Sequence, residues 1–333
     1  MLPLSVLDLS PVTTETSAAQ ALANTIDLGR HADALGYTRY WMAEHHNLPN
    51  IASGAPDIMI GQVAAATKTI RVGAGGIMLP NHPPLMVAER FKVLEALFPD
   101  RIDLGLGRAP GTDQVTWHAL RRRQEVSPED DFLERFQELV AFEAKLFPEQ
   151  HPYSKITVMP AGVALPPIWL LGSSEYSAQL AAAVGMGYSF ASHFSDLDAS
   201  GPMRAYKAQF KPSHWRETPY SILAVHAIVA DTDAEAERLA STVELNFARR
   251  AQGLFVPLAS PEEAQAYPYT PVDRDRIKRN RSRVYVGSPK TVKERLDAVV
   301  ETTQADEIMV TSFIFDHAAR KRSYELLMQA FKG

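Results

Sequence analysis

Short apolar segments that suit β-strands alternate with longer segments of helical periodicity along the whole chain. The strand-like segments lie at residues 4–9, 37–42, 70–79, 101–106, 168–171, 188–192, 220–229 and 307–313. The helix-like segments lie at residues 16–35, 55–67, 85–98, 128–147, 174–184, 198–210, 233–250 and 289–302, with a last one that ends near 331. This order of about eight units predicts an α/β fold with a parallel sheet covered by helices.

A (β/α)8 TIM barrel with insertions in its βα loops is the architecture that this order favours, because a closed barrel leaves no strand edge exposed. The 333 residues fit one such barrel, which typically takes ~250 residues plus insertions. We therefore expect a single domain over residues 1–333. The alternative is a pair of doubly wound, Rossmann-type domains.

The segment from Leu254 to Arg283 breaks this regularity. It contains four prolines, and a run of basic residues follows the last of them. We expect this segment to be irregular. Two interpretations stay open, because such a segment suits a lid over a binding site or a solvated charged face.

Composition and charge exclude several classes of function. The chain has no cysteine, so disulfides, thiolate metal sites, iron–sulfur clusters and a cysteine nucleophile are excluded. Its net charge of −5 lacks the basic footprint that nucleic acid or an anionic membrane would need. We find neither a secretory leader pattern nor a run of ~18 apolar residues, so we expect a cytoplasmic protein without a membrane partner.

Two adjacent histidines, His45 and His46, follow the second predicted strand. Adjacent side chains of an extended segment point to opposite sides, so they do not suit one metal ion, and we expect no metal site. A histidine at the carboxyl end of a barrel strand is a candidate for proton transfer, for which a pKa near neutrality suits best. The alternative is a structural, hydrogen-bonded histidine. His82, His193 and His226 are weaker candidates for the same role.

Two segments after neighbouring strands predict one phosphate site. Gly107 and Arg108 follow the fourth strand, where backbone N–H groups and a guanidinium can bind phosphate oxygens. Residues 172–177, Gly-Ser-Ser-Glu-Tyr-Ser, connect the fifth strand to a helix and offer hydroxyls at its positive end. The alternative for Ser174 is a plain helix cap. A phosphorylated cofactor or substrate would fit such a site.

Six motifs follow one another along the chain: residues 41–46 (WMAEHH), 65–73 (AATKTIRVG), 78–84 (MLPNHPP), 87–90 (VAER), 100–108 (DRIDLGLGR) and 286–289 (VGSP). In their order and spacing they resemble the motifs of the bacterial luciferase-like flavin monooxygenase family. The resemblance covers nearly the full chain. It implies a barrel that takes reduced flavin mononucleotide (FMN) from a separate reductase and forms a flavin C4a-hydroperoxide with O₂. It also implies a small organic substrate and a homodimer.

The resemblance also implies roles for individual residues. His45 corresponds to the active-site histidine of the family. Gly75 and Gly76 correspond to a bulge beside the flavin ring, often with a non-proline cis peptide bond. Arg108 corresponds to the phosphate-binding arginine and Arg121 to a second one. The phosphate turn corresponds to Ser173, Ser174 and Ser177. Trp41, Met78 and Phe313 are expected to line the barrel near the flavin and keep water out.

One departure from luciferase itself is the residue beside the phosphate-binding arginine. Luciferase has a reactive cysteine there, whereas this chain has Gly107. The chain therefore resembles the non-luminous, homo-oligomeric branch of the family. Two alternatives stay open: a deazaflavin-dependent reductase that transfers hydride on the same barrel, and a flavin-binding protein without turnover.

Overall fold

The computed structural model describes residues 2–121 and 131–332. The described strands belong to one sheet, and each strand pairs with its neighbours in parallel. They are β1 (Leu4–Asp8), β2 (Arg39–Met42), β3 (Arg71–Ala74), β4 (Ile77–Met78), β5 (Ile102–Gly107), β6 (Ile168–Gly172), β7 (Gly187–Ala191), β8 (Ser221–Val229), β9 (Val284–Gly287) and β10 (Glu307–Thr311).

Helices follow most strands and cover the outside of the sheet. They are α1 (Ala18–Leu35), α2 (Pro56–Ala66), α3 (Pro84–Leu97), α4 (Gln114–Arg121), α5 (Phe132–Ala144), α6 (Glu175–Val184), α7 (Ser200–Gln209), α8 (Asp233–Ala251), α9 (Pro261–Ala266), α10 (Pro271–Arg281), α11 (Pro289–Thr303) and α12 (His317–Lys332). None of the described helices is both long and apolar enough to cross a bilayer.

Eight of the strands close into a barrel. Their order is β10-β1-β2-β3-β5-β6-β7-β8, and β8 pairs with β10 to complete the circle. The short β4 pairs with β5, and β9 pairs with the second half of β8 outside the circle. The predicted (β/α)8 TIM barrel is therefore confirmed.

Alternation along the strands divides the apolar residues between two regions. On β1, Leu4 and Val6 pack in the large cluster between the barrel and its helices, whereas Leu7 packs in a smaller cluster with Trp41, Trp169 and Met309 from other strands. Side chains of a strand point alternately to its two faces, so this smaller cluster fills the barrel interior.

The predicted strand over residues 70–79 is wrong in its extent. It divides into β3 and β4, followed by a 3₁₀ turn at Leu79–Asn81. The peptide bond between Gly75 and Gly76 lies at the division and is cis, as the resemblance implies.

The helices between β5 and β6 also differ from the sequence prediction. Helix α4 occupies a polar stretch to which the sequence pattern assigned no element. The predicted helix over 128–147 begins outside the described residues; the described part, α5, begins at Phe132 and ends at Ala144, because Lys145 adopts a left-handed conformation.

The expectation of an irregular segment at 254–283 is wrong. Helices α9 and α10 lie in it, and each begins with a proline in its first position after a capping residue, Ser260 or Thr270. Strand β9, which the sequence pattern did not indicate, follows directly.

Candidate functional site

The carboxyl ends of the barrel strands surround a cavity of about 450 Å³. Its lining includes seven of the eight residues for which the sequence predicts a role: His45, Gly75, Gly76, Arg108, Ser173, Ser174 and Ser177. Trp41, Met78 and Phe313 line it as well. Most of the remaining lining is apolar, from strands β1, β2, β6, β7, β8 and β10 and from helix α8. A concave, mostly apolar cavity with a few polar groups is the usual form of a small-molecule site.

His45 and His46 point to opposite sides, as the sequence predicts. The His45 ring lines the cavity, and its buried Nδ1 has no hydrogen-bond partner among the described residues. Burial, and secondarily the positive charge of Arg250, lowers the pKa of His45 to about 4. The expected pKa near neutrality is therefore wrong, and His45 is neutral at physiological pH.

His46 and His82 belong instead to a buried cluster around Glu44. The Glu44 carboxylate lies 2.8 Å from His46 Nε2 and 3.0 Å from His82 Nε2, and it accepts a hydrogen bond from the Met78 backbone N–H. The pKa of Glu44 is lowered to about 2, because these hydrogen bonds outweigh the opposing effect of burial. The cluster joins the end of β2 to β4 and the 3₁₀ turn, which fixes the loop that carries His45.

Two further histidines of the lining, His193 and His226, are also neutral. Burial lowers the pKa of His193 to about 4 and that of His226 to about 3. The Phe313 backbone N–H donates to Nε2 of His226 at 3.4 Å. Sequence reasoning ranked these two histidines lower than His45, but they line the same cavity.

The backbone of Gly75 and Gly76 forms part of the cavity wall. A Cβ atom on Gly75 would lie 2.7 Å from Leu7 Cδ1, and one on Gly76 would lie 2.8 Å from the Gly105 oxygen. The contact at Gly76 is with backbone, so packing inside the barrel requires glycine there. At Gly75 the contact is with the end of the Leu7 side chain and with Trp41 Cβ at 3.1 Å, so packing disfavours a larger residue.

The predicted phosphate end of the cavity contains Arg108 and the start of α6. The Arg108 guanidinium lies 4.6 Å from the Tyr176 ring centroid and is exposed at the cavity mouth. Ser174 precedes the first residue of α6, yet its side chain makes no capping hydrogen bond. The hydroxyl of Ser177 packs against Gly172. Arg108, Ser173, Ser174 and Ser177 thus lie at one end of the same cavity.

Arg121 is placed differently from the other predicted residues. It lies at the end of α4, forms an ion pair with Asp131, and stacks on Trp117 at 4.8 Å. It is not part of the cavity lining. We therefore leave Arg121 out of the phosphate site proposed below.

Helix α8 supplies lining residues that the sequence reasoning missed. Val243, Asn246, Phe247 and Arg250 face the cavity and are spaced i, i+3, i+4 and i+7, so they form one helical face. That spacing is visible in the sequence, but the sequence does not show that this face covers the barrel mouth. Asn50, from the loop after β2, was also missed; its buried Oδ1 has no hydrogen-bond partner among the described residues.

The charges of the lining are all of one sign. Arg108 and Arg250 are the formally charged members, and no aspartate or glutamate is among the described lining residues. Within residues 2–121 and 131–332, no group of three or more histidines and carboxylates is arranged to hold a metal ion.

Comparison with known proteins gives matches over nearly the whole chain. Residues 2–306 match the family model described as luciferase-like monooxygenase. A protein of Escherichia coli (strain K12) named luciferase-like monooxygenase is 42% identical, covering 97% of this chain and 95% of the relative. An N-acetyl-S-alkylcysteine monooxygenase of Bacillus subtilis (strain 168) is 33% identical, covering 99% of this chain and 98% of the relative.

Solved structures of the same fold bind different cofactors. The crystal structure of apo-MsnO8 is similar to this chain with a TM-score of 0.89 and 38% identity, covering 100% of this chain and 99% of that one. The oxygenating constituent of 3,6-diketocamphane monooxygenase from Pseudomonas putida, described in complex with FMN, has a TM-score of 0.70 at 19% identity, covering 99% of this chain and 97% of that one. An F420-dependent secondary alcohol dehydrogenase has a TM-score of 0.71 at 12% identity, covering 99% of this chain and 98% of that one. At these low identities the last two show the fold alone.

Proposed function

Because this chain belongs to the luciferase-like monooxygenase family, we propose that it is an FMN-dependent monooxygenase that acts in a single domain. It uses reduced FMN and O₂ to place one oxygen atom in a small organic substrate. The other oxygen atom leaves as water, and FMN leaves oxidised.

One observation carries this proposal: an arginine beside a hydroxyl-rich helix start, a neutral histidine and an apolar wall line one cavity at the carboxyl ends of the barrel strands. The volume of about 450 Å³ falls in the range of small-molecule and cofactor sites. Buried polar atoms without partners, His45 Nδ1 and Asn50 Oδ1, line the cavity and suit a ligand with its own hydrogen-bonding groups. The residues present thus fit a phosphorylated, partly polar ring system.

In this proposal, Arg108 and the hydroxyls of Ser173, Ser174 and Ser177 bind the phosphate. The N–H groups in the first turn of α6 add to them, since the start of a helix is positively polarised. Reduced FMN, when bound, supplies the electrons that activate O₂. Trp41, Met78 and Phe313 exclude water from the reacting groups.

His45 acts in this proposal as a neutral imidazole. A neutral ring has one N–H donor and one acceptor nitrogen, so it can orient a group in the cavity or take a proton from it. With a pKa of about 4, it releases an accepted proton readily at neutral pH.

A comparison of FMN with riboflavin tests whether FMN is the cofactor. Arg108→Ala should weaken FMN binding about tenfold or more, because a charge-assisted pair is lost. It should leave the affinity for riboflavin, which lacks the phosphate, unchanged. Fluorescence quenching of each flavin on titration with protein measures both affinities. Arg30→Ala, on the exposed side of α1, is the matched control. Equal losses for FMN and riboflavin, or no loss for either, would contradict the proposal.

The rate at which O₂ reoxidises the reduced flavin tests the class of reaction. Rapid mixing of the protein–reduced FMN complex with O₂ should give a reoxidation rate that differs from the rate of free reduced FMN. His45→Gln should change the reoxidation rate of the bound FMN and leave the affinity for FMN the same. A protein that oxidises reduced deazaflavin without consuming O₂ would instead be the hydride-transferring reductase. Identical reoxidation rates for free and bound FMN would support the flavin-binding protein without turnover.

A separate flavin reductase and a homodimer complete the proposal. Because free reduced FMN also reacts with O₂, the rate of O₂ uptake by a mixture of a reductase, NADH and FMN should change when this protein is added. Light scattering with size-exclusion chromatography should give twice the chain mass of 36.8 kDa.

A further inference from the structure

The mouth of the cavity carries a second cationic end, formed by helix α8. Along its cavity-facing stripe, Val243 and Phe247 are apolar, whereas Asn246 and Arg250 are polar. Arg250 is exposed at the mouth, and the Phe255 ring, whose centroid is 5.8 Å from its guanidinium, is the aromatic group beside it. A planar guanidinium and a side-chain amide are well suited to bind the two oxygens of an acid group.

Arg250 differs from the arginine next to it in the chain. Arg249 points away from the cavity and pairs with Glu263 on α9 at 2.5 Å. Among the described residues, Arg250 has no carboxylate partner, and the lining around it contains none. A guanidinium held beside apolar groups without a counter-ion favours an anionic ligand.

The proposed phosphate site does not account for Arg250. Arg108 and the serine turn follow β5 and β6, whereas α8 follows β8, and β7 lies between β6 and β8 in the barrel. The lining therefore contains two arginines that contact different aromatic rings, Arg108 with Tyr176 and Arg250 with Phe255, together with three neutral histidines and apolar groups. One arginine position serves the cofactor, which leaves the other for the second ligand of the reaction.

We propose that the substrate is an organic anion, a carboxylate or sulfonate on an apolar body, and that Arg250 and Asn246 bind its acid group. This inference rests on the proposed function, since it assigns the second position to the substrate of that reaction. The apolar body lies in this proposal toward Phe247 and Phe313, which line the same cavity. His45 is close enough for the charge of Arg250 to affect its pKa, so an acid bound at Arg250 reaches the region of the proposed chemistry.

The test compares acids with their own uncharged amides. The probes are hexanoate, 3-phenylpropanoate and hexanesulfonate, each paired with its primary amide or sulfonamide. Calorimetry measures their binding to the protein with saturating FMN, so that the Arg108 end is occupied. At least one acid should bind about tenfold or more tightly than its amide, because a charged pair with a guanidinium is replaced by a neutral contact.

Variants assign that preference to one residue. Arg250→Gln should bring the acid-to-amide ratio of affinities close to one, and Arg250→Lys should keep part of the preference. The native protein and Arg30→Ala, both measured without FMN, should keep the preference. This last measurement does not depend on flavin binding, so it separates failure of the inference from failure of the proposed function.

Three results would overturn the inference. One is a panel in which no acid binds more tightly than its amide. Another is an acid preference that survives in Arg250→Gln. The third is a loss of FMN affinity in Arg250→Gln as large as that in Arg108→Ala, which would assign Arg250 to the cofactor.

Discussion

Three histidines share one cavity, and burial keeps all three neutral. The pKa values of His45 and His193 are lowered to about 4 and that of His226 to about 3. For His226 the geometry gives the same answer, because the Phe313 N–H donates to Nε2 and this nitrogen must be unprotonated. Protonation would break that bond and place a charge among apolar groups.

The stability of the protein should therefore fall in mild acid. The pKa of His226 is below its unfolded value of about 6.5, so the unfolded state binds more protons as the pH falls from about 6.5 toward 3. The free energy of unfolding decreases through that window. His226→Gln keeps an acceptor for the Phe313 N–H but does not titrate, so it should lose about 3 kcal/mol less than the native protein between pH 6.5 and 4. Urea denaturation at a series of pH values measures this difference.

His214→Gln is the control for that prediction. His214 is exposed beside Trp215, so its replacement should leave the pH dependence of the native protein unchanged. Parallel curves for the native protein and His226→Gln would show that His226 does not contribute.

Single residues also show where sequence reasoning reached its limit. The opposite orientations of His45 and His46 follow from their adjacency in an extended segment and were predicted. The lowered pKa of His45 was not, because it depends on burial in the folded molecule and on the charge of Arg250 on α8, about 200 residues away in the chain. Contacts at that separation are set by the closure of the barrel and have no local pattern.

At the level of elements, the barrel strands and most helices were predictable because each has its own periodicity. Helices α9 and α10 were missed although Ser260-Pro261 and Thr270-Pro271 are start signals, of the same kind as Ser288-Pro289 at α11. The apolar pattern of both helices is weak, because α10 is highly charged and α9 has only six residues. Strand β9 is four residues long and lies outside the barrel, so no regular spacing indicates it.

Helix α10 is held against α8 by one arginine of its basic run. Arg281 donates to Glu237 at 2.6 Å and to Glu244 at 3.3 Å, both on α8. Arg281→Gln should loosen α9 and α10 and increase the rate of limited proteolysis within residues 254–283 several-fold, because about 1 kcal/mol of local stability is lost. Mass spectrometry of the fragments locates the cleavage.

Arg279→Gln is the matched control, since Arg279 is an exposed arginine on the same helix. Its cleavage rate should equal that of the native protein. Equal cleavage rates for the two variants would mean that the basic run acts only as a solvated face. Faster cleavage of Arg281→Gln alone would support an ordered segment, residues 254–283, packed on α8.

For the whole molecule, the end of the barrel away from the cavity is closed by a buried charge network. Arg39 on β2 donates to Asp103 on β5 at 2.8 Å and to both oxygens of Glu307 on β10 at 3.1 Å. Its guanidinium stacks on Trp169 of β6 at 4.6 Å, and Tyr220 at the start of β8 donates to Glu307 at 2.8 Å. Five strands therefore meet through one cation, while the other end of the barrel stays open for ligands.

Replacement of that cation should destabilise the whole barrel without altering the cavity. Arg39→Met leaves Glu307 buried without a cation and leaves Asp103 paired with Arg71 alone, which should cost about 3–5 kcal/mol of unfolding free energy. The folded fraction should still bind FMN with near-native affinity, because Arg39 itself is not part of the described lining. It reaches the lining only indirectly, through Asp103, which accepts a hydrogen bond from Trp41 Nε1 at 3.0 Å, and through the rings of Trp169 and Tyr220. Glu307→Gln combined with Arg39→Met removes the stranded charge and should recover part of the loss. Urea denaturation of the single and double variants measures both effects.

A loss below about 1 kcal/mol in Arg39→Met, or a double variant less stable than the single one, would show that the network does not hold the barrel ends together.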